Sequence, residues 1–299
     1  MPDDGLDFTD VGGDTERMIR VTVSSPVAEL VSDRFWQLGV RAVSEIDLDD
    51  GRVEVSSSVG NDSDSITRAV ATFDPTWSWR VDEVSTELGD DWKAFAAPVW
   101  YADDLVVVPA WRADELPASS AMSTAKREPS IVTVIEPGSA FGLGDHPTTR
   151  STLAMLANLI RTGDHRFDAV LDVGCGTGAV AILAAQLGSP LVRAVDVAVA
   201  AVDATRHNAQ LNGVETVVDV DDTAIADLDG RYDIVVANIL GPVLIALAPD
   251  LVRLVADDGS LIISGILAER HQHVLEALTP LRVADRLIAD GWITIRLTR

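Results

Sequence analysis

Residues 18–23 read as a strand, apolar at alternate positions from Ile19 onward, and residues 28–38 switch to helical spacing with Gly39 as a natural stop. Residues 42–48 and 53–57 again read as strands, joined by the Asp-Asp-Gly turn at 49–51. A weaker helical stretch at 65–72 and a strand-like run at 77–84 complete this first region. Residues 89–130 carry no sustained period: Trp92, Phe95, Trp100 and Trp111 punctuate them, 105–108 forms one short strand, and 113–130 is polar. Residues 131–136 form a further strand. From about residue 150, apolar runs at 169–173, 191–195, 216–220, 233–237 and 260–264 alternate with helical patterns beginning near Gly178, Val199 and Pro242. Two β-like runs at 281–288 and 292–297 bracket Ala289-Asp290-Gly291, which predicts a hairpin.

These patterns predict an α/β chain in three parts. Residues 1–88 order as strand, helix, strand, strand, helix, strand, which is the order of a ferredoxin-like α+β sandwich. Residues 89–130 are expected to form a linker, with the tryptophans as packing anchors. Residues 131–299 are expected to build a Rossmann-like sheet of seven strands, parallel until its terminal antiparallel hairpin.

Composition narrows the function classes. Apolar residues make up 47% of 299 residues, enough for two well-buried cores. With 23 basic against 47 acidic residues the net charge is −24. That balance argues against direct binding of nucleic acid, whose phosphates want a basic face, and suits high solubility, a salty habitat or a basic protein partner. The single cysteine, Cys175, excludes an internal disulfide. The first residues have neither a basic nor an apolar leader, and no apolar run approaches a membrane span. A soluble, cytoplasmic monomer is expected. No Cys/His cluster has zinc spacing, so no metal is expected.

The chemistry concentrates at the sheet. Ala169-Val-Leu-Asp-Val-Gly-Cys-Gly-Thr-Gly178 runs from a strand into a glycine-rich turn, and Asp196 follows Gly176 by 20 residues at the tip of the next strand. Gly174 and Gly176 permit close approach of a ligand, and Asp196 is placed to accept from ribose hydroxyls. The turn alone fits either a dinucleotide or another adenosine-containing cofactor. The terminal hairpin discriminates, because class I methyltransferases end a parallel sheet in this way, and S-adenosylmethionine (SAM) is therefore expected. Asp172 stands close to the expected place of the methionine amino group, or else caps the local turn. Asn238 ends the fourth parallel strand, where a carboxamide oxygen could accept from an amine and aim its lone pair at a methyl group. Residues 138–150 combine three glycines, His146-Pro147 and two threonines, reading as a helix start beside a ligand loop. Cys175 reads as a small space-filling residue.

Three motifs together resemble the PrmA family, the methyltransferases of large-subunit ribosomal protein L11. They are Ala140-Phe-Gly-Leu-Gly-Asp-His-Pro-Thr-Thr149, Leu171-Asp-Val-Gly-Cys-Gly-Thr-Gly178 and Val236-Ala-Asn-Ile-Leu240. The resemblance covers about 90–299. It implies a substrate-recognising N-terminal domain, a flexible linker and multiple methylation of the α-amino group and lysine ε-amino groups of ribosomal protein L11. It also implies SAM-binding roles for Thr149, Gly174, Asp196 and Asn238, with Phe141 against the cofactor. Leu143 and Asp145 depart from the family's small polar residues, and Asp145 adds a carboxylate beside the expected sulfonium. A related amine methyltransferase and a non-catalytic SAM-binding module are the alternatives.

Overall fold

The chain divides into two units, residues 1–95 and 96–299. The computed structural model describes residues 15–38, 40, 43–48, 50–85, 96–115, 129–136, 140–163 and 167–299. Trp92, expected as a packing anchor, lies outside the described residues.

In the first unit, β1 (Thr15–Ser24), α1 (Ser25–Gln37), β2 (Ser44–Asp47), β3 (Arg52–Ser57), α2 (Ser63–Val70) and β4 (Ser78–Ser85) follow one another. The four strands form one antiparallel sheet in the order β2-β3-β1-β4. Ile19, Val21 and Val23 of β1 share a core with Val31 and Phe35 of α1 and Ile66 of α2, as the alternation along 19–23 requires. α2, faint in the sequence, starts where the Asp62 side chain accepts from the Ser65 N–H at 2.8 Å.

The second unit opens with β5 (Val99–Ala102), β6 (Leu105–Pro109) and a short 3-10 turn (Ala110–Glu115), followed by β7 (Ile131–Ile135). These strands form a sheet in the order β5-β6-β7, with β6 and β7 parallel. Residues 96–115, expected within the linker, fall in the second unit instead, where every residue of Leu105–Val108 is buried. The short, uniformly half-buried β5 has no alternation to betray it.

The rest is α3 (Pro147–Thr162), β8 (Ala169–Val173), α4 (Ala179–Gln186), β9 (Leu191–Val195), α5 (Val199–Leu211), β10 (Val218–Asp221), β11 (Tyr232–Asn238), α6 (Gly241–Leu254), β12 (Val255–Leu267), α7 (Gln272–Ala277), β13 (Arg282–Ala289) and β14 (Trp292–Thr298). The sheet order is β10-β9-β8-β11-β12-β14-β13; β14 runs antiparallel to β12 and β13, and every other pairing is parallel. Both faces are covered. Val170, Ile234 and Val236 enter one core with α3, α4 and α5, while Leu171, Val235 and Ala237 enter another with α6 and α7. The run expected at 216–220 is β10 only from Val218, because the Val217 and Val218 N–H groups bond back to Val214 in a turn. The hairpin loop is two residues, Asp290 (φ 50°) and Gly291 (φ 81°), the positive-φ pair whose twist matches flanking strands.

Candidate functional site

Four segments meet at the carboxyl edge of the parallel strands. The first is the turn after β8. Gly174, Gly176 and Gly178 hold φ values of 71°, 55° and 80°, a region costly for any residue with a side chain. The Gly174 N–H donates to the Val195 carbonyl at 2.8 Å, drawing the turn against β9. The second is Asp196, just beyond β9. Its two carboxylate oxygens accept from the Gly176 N–H at 3.0 Å and the Ala198 N–H at 2.9 Å. Asp196 thus organises the turn while keeping lone pairs free for further donors.

Asp172, the last acid of β8, is 2% exposed. One of its oxygens accepts from the Ala181 N–H at 3.2 Å, so it caps the first turn of α4. Burial pushes its carboxyl up to about 7, the Asp196 charge adds to the rise, and the Ala181 N–H opposes it. Burial likewise drives the Cys175 thiol far up, which leaves it inert and fits the space-filling reading.

The third segment is 140–150. Thr177 ties it to the turn: its N–H donates to the Phe141 carbonyl at 3.0 Å and its hydroxyl to the Gly142 carbonyl at 2.8 Å. A Cβ on Gly176 would stand 2.4 Å from the Phe141 oxygen, so glycine is required by close approach as well as by φ. The Phe141 side chain itself is 56% exposed. Its ring stands edge-on to His146 at 5.3 Å, and His146 stands edge-on to Trp292 of β14 at 5.2 Å. His146 caps α3 through Nδ1, which accepts from the Thr148 N–H, placing the proton of the neutral ring on Nε2. Burial lowers its basicity, and Asp145 counteracts. Thr149, in the first turn of α3, is 2% exposed, and its hydroxyl has no hydrogen-bond partner among the described residues.

The fourth segment follows β11. Asn238 is half-buried at the strand end, in register with Ser264 of β12. The next residue, Ile239, packs so tightly that a Cβ on Gly174 would meet its Cγ2 at 2.5 Å. A Cβ on Gly265 would meet its carbonyl oxygen, also at 2.5 Å.

Thus Phe141, Asp172, Gly174, Gly176 and Asp196 gather around one turn, with Asn238 joined to it through Ile239 and Thr149 entering along α3. The sequence reading passed over Thr177, whose threonine inside a glycine run carries no separate signal. It also passed over the His146–Trp292 contact, which joins residues far apart in the chain.

A parallel sheet closed by an antiparallel hairpin, with this turn, acid and asparagine on its carboxyl edge, defines an α/β methyltransferase. The model of the family described as ribosomal protein L11 methyltransferase (PrmA) matches residues 75–299, and the chain belongs to that family. The ribosomal protein L11 methyltransferase of Thiobacillus denitrificans is 34% identical, aligning 93% of this chain with 97% of its own length. That of Exiguobacterium sp. is 35% identical over 68% of this chain and 62% of its own; that of Geotalea uraniireducens is 38% identical over 62% and 58%. In these two alignments the chain spans less than two thirds of the relative. The crystal structure of ribosomal protein L11 methylase from Lactobacillus delbrueckii subsp. bulgaricus superposes with a TM-score of 0.57 at 31% identity, covering 68% of this chain and 99% of that one.

Proposed function

We propose that the protein transfers methyl groups from SAM to amines of ribosomal protein L11, at its α-amino group and at lysine ε-amino groups. The observation that carries this is the meeting of Asn238 with the glycine turn through Ile239, in a chain whose relatives are named for that substrate.

The residues suit the cofactor. Asp172 is a buried acid held near neutrality for want of a counter-charge, and an ammonium beside it would restore its carboxylate form. The free lone pairs of Asp196 suit ribose hydroxyls, Phe141 and Val197 (91% exposed) offer apolar surface, and the unpartnered Thr149 hydroxyl can take a further polar group. Gly174 and Gly176 keep the turn open. When bound, SAM supplies an electrophilic methyl on a sulfonium.

The chain's own task is to present a neutral amine in line. An α-amine with a pKa near 8 is already partly neutral at pH 7, whereas a lysine near 10.4 needs about 4.6 kcal/mol to lose its proton. Exclusion of water around the entering lysine lowers that demand. The Asn238 carboxamide oxygen accepts from the amine N–H and fixes the direction of the lone pair. Water takes the released proton.

We further infer that the first unit, with its strand order β2-β3-β1-β4, is a ferredoxin-like domain that recognises the substrate, joined by a linker to a seven-stranded class I methyltransferase domain. The protein acts as a cytoplasmic monomer, without direct nucleic-acid contact. Among the described residues no helix is long and apolar enough to cross a membrane. Intact-mass spectrometry of ribosomal protein L11 after incubation with this protein and SAM tests the reading. Mass gains in CH₂ steps that require SAM are expected. SAM binding with no mass gain removes the substrate assignment and leaves a related amine methyltransferase or a non-catalytic SAM-binding module.

A further inference from the structure

β7 lies at the edge of its sheet, and its outward backbone groups at 132, 134 and 136 need partners. Three side-chain amides supply them. Gln186 of α4 donates to the Val132 carbonyl at 2.9 Å. Asn212, just past α5, accepts from the Val134 N–H at 2.8 Å and donates to the Val134 carbonyl at 2.7 Å. Asn208 of α5 accepts from the Glu136 N–H at 2.8 Å and donates to the Glu136 carbonyl at 3.0 Å. The fit has a simple metric basis. Four helical residues rise about 6.0 Å and two strand residues about 6.6 Å, so an i,i+4 pair of amides matches alternate residues of a strand.

The two asparagines differ in their second N–H: that of Asn212 donates to the Asn208 carbonyl at 2.8 Å, whereas that of Asn208 leaves the helix. It donates to the Thr177 carbonyl at 2.9 Å, inside the glycine turn. Two carbonyls and one N–H around a fully buried amide permit a single orientation of that side chain. Thr177 in turn grips the Phe141 and Gly142 carbonyls. Glu136 and Phe141 are therefore tied to one linked pair of residues, Asn208 and Thr177. Because the Phe141 ring is more than half exposed, packing alone does not place it; its backbone anchors do.

We propose that Asn208 and Thr177 are positioning residues for cofactor binding, acting as a relay that sets the 140–144 loop against the glycine turn. This rests on the proposed SAM-dependent function. Asn208→Ala and Thr177→Val are expected to raise the SAM Kd about tenfold, the equivalent of 1.4 kcal/mol. In both, kcat at saturating SAM stays within about twofold. Asn212→Ala, which loses the equivalent pair of bonds to β7 and its bonds to the Asn208 carbonyl and Gln186 but leaves the Asn208–Thr177 bond in place, is expected to keep its SAM Kd within about twofold. In the cofactor-free protein, amide hydrogen exchange at 174–178 is expected to quicken in Asn208→Ala and stay unchanged in Asn212→Ala.

Equal Kd values for the Asn208 and Asn212 variants, or unaltered exchange at 174–178, overturn the proposal. Should Asn208→Ala fail to fold, Thr177→Val decides it, since that change leaves the amide ladder intact and an unchanged Kd refutes the relay. A wild-type protein that does not bind SAM refutes the proposed function instead, and the exchange comparison still reads the relay.

Discussion

Asp172 carries opposite demands, because the fold buries a carboxyl that the proposed cofactor needs charged. In the unfolded chain it ionises near 3.8, and in the folded one near 7. Its contribution to stability is therefore fully present only below about pH 4 and is lost as pH rises through about 7. Asp172→Asn preserves an acceptor for the Ala181 N–H and removes this penalty. The cofactor-free variant is expected to be more stable than wild type at pH 8, by on the order of 1–3 kcal/mol, and no more stable at pH 4. Thermal unfolding at the two pH values checks this; an equal difference at both would exclude titration as the cause. At Asn238 the expected effect is on the chemical step. Asn238→Ala should lower kcat about a hundredfold, as loss of orientation does, with SAM Kd within about threefold. Single-turnover methylation beside calorimetric binding separates these, and an unchanged kcat removes the orienting role. Asp172, Asp196 and Asn238 were all legible from their places after apolar runs. Thr177 and Asn208 were not, since their partners lie 35 and 72 residues away in the chain.

Among the elements, β12 shows how a strand serves the site from beside it. Its pairing with β14 shifts between Ile263 and Ile266, and Gly265 sits in the irregularity at φ 83°. The kink lets the Ile239 carbonyl approach so closely that a methyl group there would be sterically impossible without movement. Gly265→Ala is expected to cost more than about 1 kcal/mol in stability, from the left-handed φ alone. It should also reduce methylation by displacing the segment that follows Asn238. Unfolding midpoints and kcat on one preparation test both, and wild-type activity in a destabilised variant would confine Gly265 to folding. This contact and the positive φ together require glycine at 265. Strongly patterned elements match the expectation: β8 and β9 have their expected bounds, and α5 begins at its expected residue. β5 escaped because four half-buried residues have no period, and β10 shifted because a backbone turn took residues that composition alone would give to a strand.

For the whole molecule, the charge of −24 is the property with the longest reach. If it steers a basic ribosomal protein, kcat/KM for L11 should fall about tenfold or more between low and high salt, as the Debye length contracts from about 30 Å to about 3 Å. SAM affinity, proposed to rest on short contacts at the turn, should change little. Rates compared at fixed SAM across a salt series decide this, and a flat profile assigns the charge to solubility. Sequence alone determined the class of the fold, the glycine turn, the acid after β9 and the asparagine after β11, because each depends on local period or on a motif of adjacent residues. Only the tertiary structure decided that residues 96–115 belong with the second unit. It alone joined His146 to Trp292, and tied Glu136 and Thr177 to the single amide of Asn208 on α5. Those are choices of partner, and hydrogen bonds and close packing between distant segments leave no period in the chain that makes them.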